Sequence, residues 1–192
     1  PVASGTPCAV DRNHTQSPYT YYWYATCRKC GETMYREATQ WDRTQENNDS
    51  LVLDRLYYYL NQYRATYAGK GPLARDSIFE QYAEIRADQL VTNFAHDSND
   101  KAVARERVQI NRVGGECIAN LGFVSWKSID YTAKRFIDGF YHSSAHWAIL
   151  TNNAYLYVGI GYNVNGYVAV EVSDYSGAES HQEYLDSLNN GN

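Results

Sequence analysis

The order of elements in this chain predicts an α+β fold, an α-β-α sandwich with an antiparallel sheet flanked by helices on both faces. Two observations carry that prediction. Apolar residues recur at three- and four-residue spacing in three separate segments, as amphipathic helices require. Near the end of the chain, two stretches alternate apolar and polar residues on either side of an Asn-Gly pair, as a β-hairpin requires.

Residues 1–47 are expected to form a small cysteine-containing N-terminal extension, β-like or irregular, with an aromatic run from Tyr19 to Tyr24. The main domain is placed at 48–175. Its first helix is capped by Asn48 or Asp49, carries Leu53, Leu56, Tyr57, Leu60 and Tyr63 on one face, and stops at Gly69-Lys-Gly71-Pro72. Asp76 caps a second helix with an expected stripe of Ile78, Tyr82, Ile85, Leu90 and Phe94, and Glu80 in its first turn suits the helix dipole. Residues 97–113 are polar with weak periodicity and are assigned to a long loop. A short strand follows at Glu116–Leu121, and then a third helix from Ser128–Asp130 carrying Ala133, Phe136, Ile137 and Phe140. Tyr155–Tyr162 and Gly166–Asp174 form the hairpin. Residues 176–192 are assigned to a polar C-terminal tail, wrapped on the surface or loose.

Composition narrows the function classes. Of the 192 residues, 44% are hydrophobic and 20% charged, enough apolar material for a core and too little charge for a disordered chain. The formal net charge of −5, without a basic run, argues against a nucleic-acid partner. No apolar run approaches the roughly 18 residues of a membrane span. The sequence begins at Pro1 without an apolar signal segment, which reads as a mature or trimmed product. Tyrosine dominates the aromatics, with 19 Tyr against 5 Phe. A phenol tolerates half-exposed positions, and a Tyr-rich surface can stack on sugars or peptides.

The residues with chemistry are His96, after the second helix, Glu116 in Gly114-Gly-Glu-Cys-Ile-Ala119, and His146 in His142-Ser-Ser-Ala-His-Trp147. Two imidazoles and a carboxylate can hold a divalent metal such as zinc or form an acid–base pair. His142, four residues before His146, can share its helical face, and is expected to be a solvent-facing neighbour. Ser143 and Ser144 adjoin His146, but adjacency is not a triad. No HExxH motif is present.

From about Leu51 to Asp174 the chain resembles the CAP superfamily, the SCP-like extracellular domains that include cysteine-rich secretory proteins, venom antigens, pathogenesis-related proteins and many bacterial secreted members. The resemblance rests on ordered landmarks: Leu60-Asn-Gln-Tyr-Arg64, Pro72-Leu73 with Asp76 and the helix ending at His96, Gly115-Glu-Cys-Ile-Ala119, Phe140 to Leu150, and Val158-Gly-Ile-Gly-Tyr162. The resemblance implies a secreted, bacterial-type domain whose ligand-binding cleft is lined by His96, Glu116, His146 and Tyr157. The family cleft is commonly described by two His and two Glu. At the place where the second Glu often precedes this last motif, the chain carries Tyr157, and a phenol with a reference pKa of about 10 does not replace a carboxylate at neutral pH.

Cys8, Cys27 and Cys30 lie within 23 residues of one another, and Cys27-Arg-Lys-Cys30-Gly31 has the form of a zinc knuckle with His14 as a fourth ligand. Secretion favours disulfides instead, and the sequence does not choose the pairing. Cys117 reads as a buried small hydrophobe.

The expected function is a secreted, non-enzymatic recognition module for a ligand, a divalent metal or a cell-surface partner, the ligand being a lipid or a peptide. No cofactor is required, zinc being the candidate. The alternative is a metal-assisted, peptidase-like hydrolase in which His96 and His146 hold the metal and Glu116 is the base.

Overall fold

The computed structural model describes the backbone of residues 10–16, 21–27, 33–37, 46–121 and 129–190, and the side chains of 51–121 and 129–189. Strands β1 (Val10–Gln16), β2 (Tyr21–Cys27) and β3 (Thr33–Glu37) form an antiparallel sheet in that order, with His14 opposite Trp23 and Val10 opposite Cys27. Cys8 and Cys30 lie outside the described residues. For His14 and Cys27 only the backbone is described, so the zinc and disulfide expectations fall outside as well.

The rest of the chain runs α1 (Glu46–Ala68), β4 (Ala74–Arg75), α2 (Ser77–Gln89), α3 (Ser98–Val108), β5 (Gly115–Asn120), α4 (Ile129–His142), α5 (Ser144–Leu150), β6 (Tyr157–Asn163), β7 (Tyr167–Ser173) and α6 (Gly177–Asn190). The sheet order is β4-β6-β7-β5. β5, β7 and β6 pair antiparallel, as expected, whereas the two-residue edge strand β4 runs parallel to β6. Helices cover both faces, so the chain folds as an α-β-α sandwich.

Strand pleating divides the sheet residues between two cores. Cys117, Val158, Ile160, Val168, Val170 and Val172 face the layer of α1, α4 and α5, where they meet Leu56, Leu60, Phe136, Ile137, Phe140 and Leu150. The opposite face carries Ile118 and Ala169 against Ala83, Ala87 and Leu90 of α2. Here α2 lies almost on the backbone of β6. A Cβ at Gly159 would overlap the carbonyl group of Phe79, and one at Gly161 would overlap that of Ala83. The glycines of Val158-Gly-Ile-Gly-Tyr162 therefore set the helix–sheet distance.

The Asn61 and Arg64 side chains also have structural work. Asn61 Oδ1 accepts from the Leu73 amide at 2.9 Å, while Arg64, buried, donates to the carbonyls of Gly71 and Leu150. Beyond the short strand β4, the open edge of β6 is met by a side chain. The Tyr57 hydroxyl accepts the Ile160 N–H at 2.8 Å and donates to Glu80 at 2.9 Å.

Several expectations are corrected. α1 begins at Glu46, before Asn48 and Asp49, because its first turn is polar and has no periodic signature. The buried row of α2 is Phe79, Tyr82, Ala83, Arg86 and Ala87. Ile78 and Ile85 are only half-buried, and Phe94 is exposed beyond the helix. Small residues facing glycines, with an arginine among them, escape an apolar count. Asp76 caps α2 as expected, accepting from the amides of Ile78 and Phe79.

Residues 98–108, assigned to a loop, form α3. The Asp97 side chain caps it through the Asn99 and Asp100 amides, and the helix buries Ala104 alone among its residues, too little for a periodic pattern. The polar tail is also helical in α6. It docks through polar groups: Ser180 Oγ donates to the Arg112 carbonyl at 2.7 Å, and the Gly177 amide donates to Asp76 at 2.9 Å. In the hairpin, Asn163 is opposite Tyr167 and the Gly166 amide bonds the Asn163 carbonyl. Gly166, at φ 85°, closes a three-residue loop in a conformation that favours glycine.

Candidate functional site

The residues with the densest chemistry meet on the α2 face of the sheet. Glu116 of β5 and Glu171 of β7 are direct cross-strand partners. Both point toward α2, whose Arg86, fully buried at 0% exposure, reaches Glu116. Its Nε donates to Glu116 Oε1 at 2.7 Å, while its terminal nitrogens donate to Gln89 Oε1 at 2.8 Å and to the Ala95 carbonyl at 3.0 Å. This one guanidinium joins β5, α2 and the segment that carries His96.

The second oxygen of Glu116 faces two further donors. His96 Nδ1 lies 2.5 Å from Oε2, and Lys101 Nζ of α3 lies 2.9 Å from it. With the proton on Nδ1, the imidazole donates to the carboxylate. The His96 side chain is 51% exposed and Lys101 is 26% exposed, so both lie toward solvent while Glu116 and Arg86 lie beneath. α3 matters here because it positions Lys101. Gln89 Nε2 bonds the Asp100 carbonyl at 3.0 Å and Asn93 Nδ2 bonds Asp100 Oδ2 at 3.0 Å, tying the α3 terminus to the end of α2.

The two carboxyls are driven to opposite states. Burial pushes Glu116 up, but Arg86, Lys101 and His96 outweigh it and hold the carboxyl below its ordinary range. Glu171 has no cation on its own oxygens. Burial at 1% exposure and the charge of Glu116 beside it raise its carboxyl well above the ordinary range. Its Oε1 is buried without a hydrogen-bond partner, and burial beside the Glu116 charge favours the protonated form. Like charges so close do not both ionise.

His146 approaches from the other layer. Ser143 caps α5 by accepting from the His146 amide at 3.5 Å, so this serine serves the helix rather than a nucleophilic site. The imidazole stands edge-on to Phe140, centroids 5.2 Å apart. Burial, and then the field of His96, lower its pKa and keep it neutral. The chain thus brings His96 and Glu116 into contact, and the thiol of Cys117, next to Glu116 on β5, donates to the His146 carbonyl at 3.7 Å. Tyr157 is set apart. It lies across β7 and two residues along the strands from Glu116, packed beside the cluster of Phe79, Tyr82 and Tyr175. His142 is exposed at the end of α4, its ring against Tyr141. Cys117 is a free thiol in the main core, and burial pushes its pKa up, as for a small hydrophobe.

Arg86, Lys101 and Glu171 are absent from the sequence-based set. Glu171 had a signal: it is the lone charge in the alternating run Tyr167-Val-Ala-Val-Glu-Val-Ser173, on the same pleat face as Ala169. Lys101 had none. Among the described residues, no group of three or more His, Cys, Asp or Glu side chains is arranged to hold a metal ion.

Comparison with known proteins agrees with this architecture. The chain resembles an extracellular SCP-domain protein of Bacillus anthracis str. Ames at 16% identity and a TM-score of 0.53, covering 85% of this chain and 60% of that one. It resembles a cysteine-rich secretory protein of Staphylococcus aureus subsp. aureus Mu50 at 10% identity and a TM-score of 0.53, covering 83% and 57%. The chain therefore spans about 60% of the length of these structures, and the likeness is one of fold. No curated protein sequence matches it. The model of the Cysteine-rich secretory protein family, CAP, matches residues 57–175, more than half of the chain, and the protein belongs to that family.

Proposed function

We propose that this CAP domain is an extracellular recognition module that contacts its ligand through His96 and Lys101, with His146 beside them, and that it is not a hydrolase. The observation that carries this reading is the saturation of Glu116. Arg86 occupies one carboxylate oxygen, and His96 and Lys101 occupy the other. A general base toward water needs a free lone pair and a pKa near the working pH, whereas the cations hold Glu116 low. A catalytic zinc site needs three protein ligands and an open position. Among the described residues no three His, Cys, Asp or Glu side chains are arranged to hold a metal ion. The exposed groups suit contact with a lipid headgroup, a peptide or a cell-surface partner. Extracellular placement follows the descriptions of the two similar structures. No helix among the described residues is long and apolar enough to cross a membrane.

Two measurements test this. With zinc present, the chain should not turn over fluorogenic peptide or ester substrates above the level of Glu116→Gln, and zinc-dependent turnover lost in that variant would establish the hydrolase. A panel of fluorescent lipid and peptide probes should include a binder weakened by His96→Ala and Lys101→Ala. Binding indifferent to both would remove the site from the reading.

A further inference from the structure

Zinc, the metal candidate for this cleft, binds through lone pairs directed at it and is repelled by a neighbouring ammonium. The donor set on the sheet is poor on both counts. Of the two carboxyls there, Glu116 is the ionised one, and Arg86 donates to its Oε1 at 2.7 Å while Lys101 Nζ lies 2.9 Å from its Oε2. Two fixed cations therefore stand against one negative charge. Asp97 and Asp100, the acids next to Lys101 along the chain, are turned to other partners. Asp97 accepts from the Asn99 and Asp100 amides, and Asp100 accepts from Asn93.

The ammonium is also held in its place. The Lys101 amide donates to the Asp97 carbonyl at 3.1 Å, inside the first turn of α3. Gln89 and Asn93 tie the neighbouring Asp100 to the end of α2. Lys101 is thereby delivered to a buried carboxylate, unlike an ordinary surface pair. Its charge is the strongest of those that oppose protonation of Glu171, so it acts on both carboxyls. Two ligands at about 2 Å from one zinc ion stand about 3 Å apart. His96 Nδ1 and Lys101 Nζ, at 2.5 Å and 2.9 Å from the same oxygen, are close to that spacing. The ammonium therefore stands beside His96 on the oxygen that such an ion would share.

We infer that Lys101 serves the His96–Glu116 cleft as a built-in cation, and that its ammonium is what keeps divalent metal ions out. This deepens the reading of the cleft as a recognition surface and rests on it. One residue of α3 decides whether the carboxylate is matched by the chain's own charge or by an ion from solution.

The test follows the His96 ring by NMR while zinc is added to the full chain, a signal that zinc taken up by the N-terminal thiols does not give. Lys101→Gln removes the charge without adding a strong donor. Its His96 signals should move at about tenfold less zinc than in the parent, the least that repulsion across a few ångströms of water predicts. Lys101→Glu also supplies a carboxylate one atom shorter than the lysine, which leaves the ammonium's place to the ion, and should respond at lower zinc still. Adding Glu116→Gln to either variant should return it to the parent's response. Lys134→Gln, an equal loss of charge at an exposed position of α4, should respond as the parent does. Equal responses of the parent and both Lys101 variants would overturn the inference, as would a gain that survives Glu116→Gln. A gain in Lys101→Glu alone would overturn it too, because the added carboxylate and not the lost ammonium would then admit the ion. Failure of the recognition reading shows separately, in lipid and peptide probes that ignore His96→Ala and Lys101→Ala whatever zinc does.

Discussion

The Glu116–Glu171 pair makes folding a proton-uptake reaction, and the substitution Glu171→Gln should abolish that dependence. In the unfolded chain Glu171 titrates near 4.5, whereas in the fold its carboxyl is raised well above that value by burial and by the charge of Glu116. The native state thus binds more protons at this residue than the unfolded state. Stability contributed by Glu171 is fully present below pH 4.5 and is lost as pH rises toward the folded value. Within that window the loss approaches about 1.4 kcal/mol per pH unit. A glutamine side chain at this position keeps the shape and an N–H donor for Glu116 without a proton to release. Urea unfolding of parent and Glu171→Gln at pH 5, 6, 7 and 8 reads the effect, provided the slope with denaturant is the same in both. The difference between the two midpoints should widen with pH in favour of the variant. His146 contributes with the opposite sign, since its lowered folded pKa costs stability as pH falls, but it is common to both chains and cancels. Parallel curves across the whole range would refute the claim that Glu171 is a buried neutral acid.

Two further substitutions probe the same face of the sheet. Arg86→Met strips the buried partner from Glu116 and should cost about 3–5 kcal/mol, toward the lower end because Lys101 and His96 remain. Adding Glu116→Gln to that variant should restore part of the loss in a urea midpoint comparison. Gly161→Ala puts a methyl group into the Ala83 backbone and should cost about 1–3 kcal/mol, read as a lower Tm and faster amide exchange along α2.

What the residues disclosed in advance followed from local chemistry. Asp76 before an apolar stretch marked the start of α2, and the Asn-Gly pair between alternating runs marked the hairpin. The family landmarks brought His96 and Glu116 together although twenty residues separate them. What escaped was burial that an apolar count cannot see. α3 and α6 are held by caps and by bonds such as Ser180 to Arg112, which leave no hydrophobic period. Arg86 and Glu171 are charged types, and a charge in a sequence reads as a solvated position until a partner is found for it. The sequence left the set one carboxylate short, with Tyr157 in the expected place, whereas Glu171 of β7 meets Glu116 because strand register rather than motif order decides which side chains meet across a sheet.

The phenol of Tyr57 on the open side of β6 has a consequence for association. An uncovered strand margin is a template on which another chain adds its own strand, the route by which sheet proteins polymerise. β4 shields only the first part of that margin, and the Ile160 amide just beyond would be the next attachment point. Tyr57 takes up that amide from within the core, and its own proton goes to Glu80. A single internal hydroxyl thereby makes this stretch of β6 unavailable to an incoming strand.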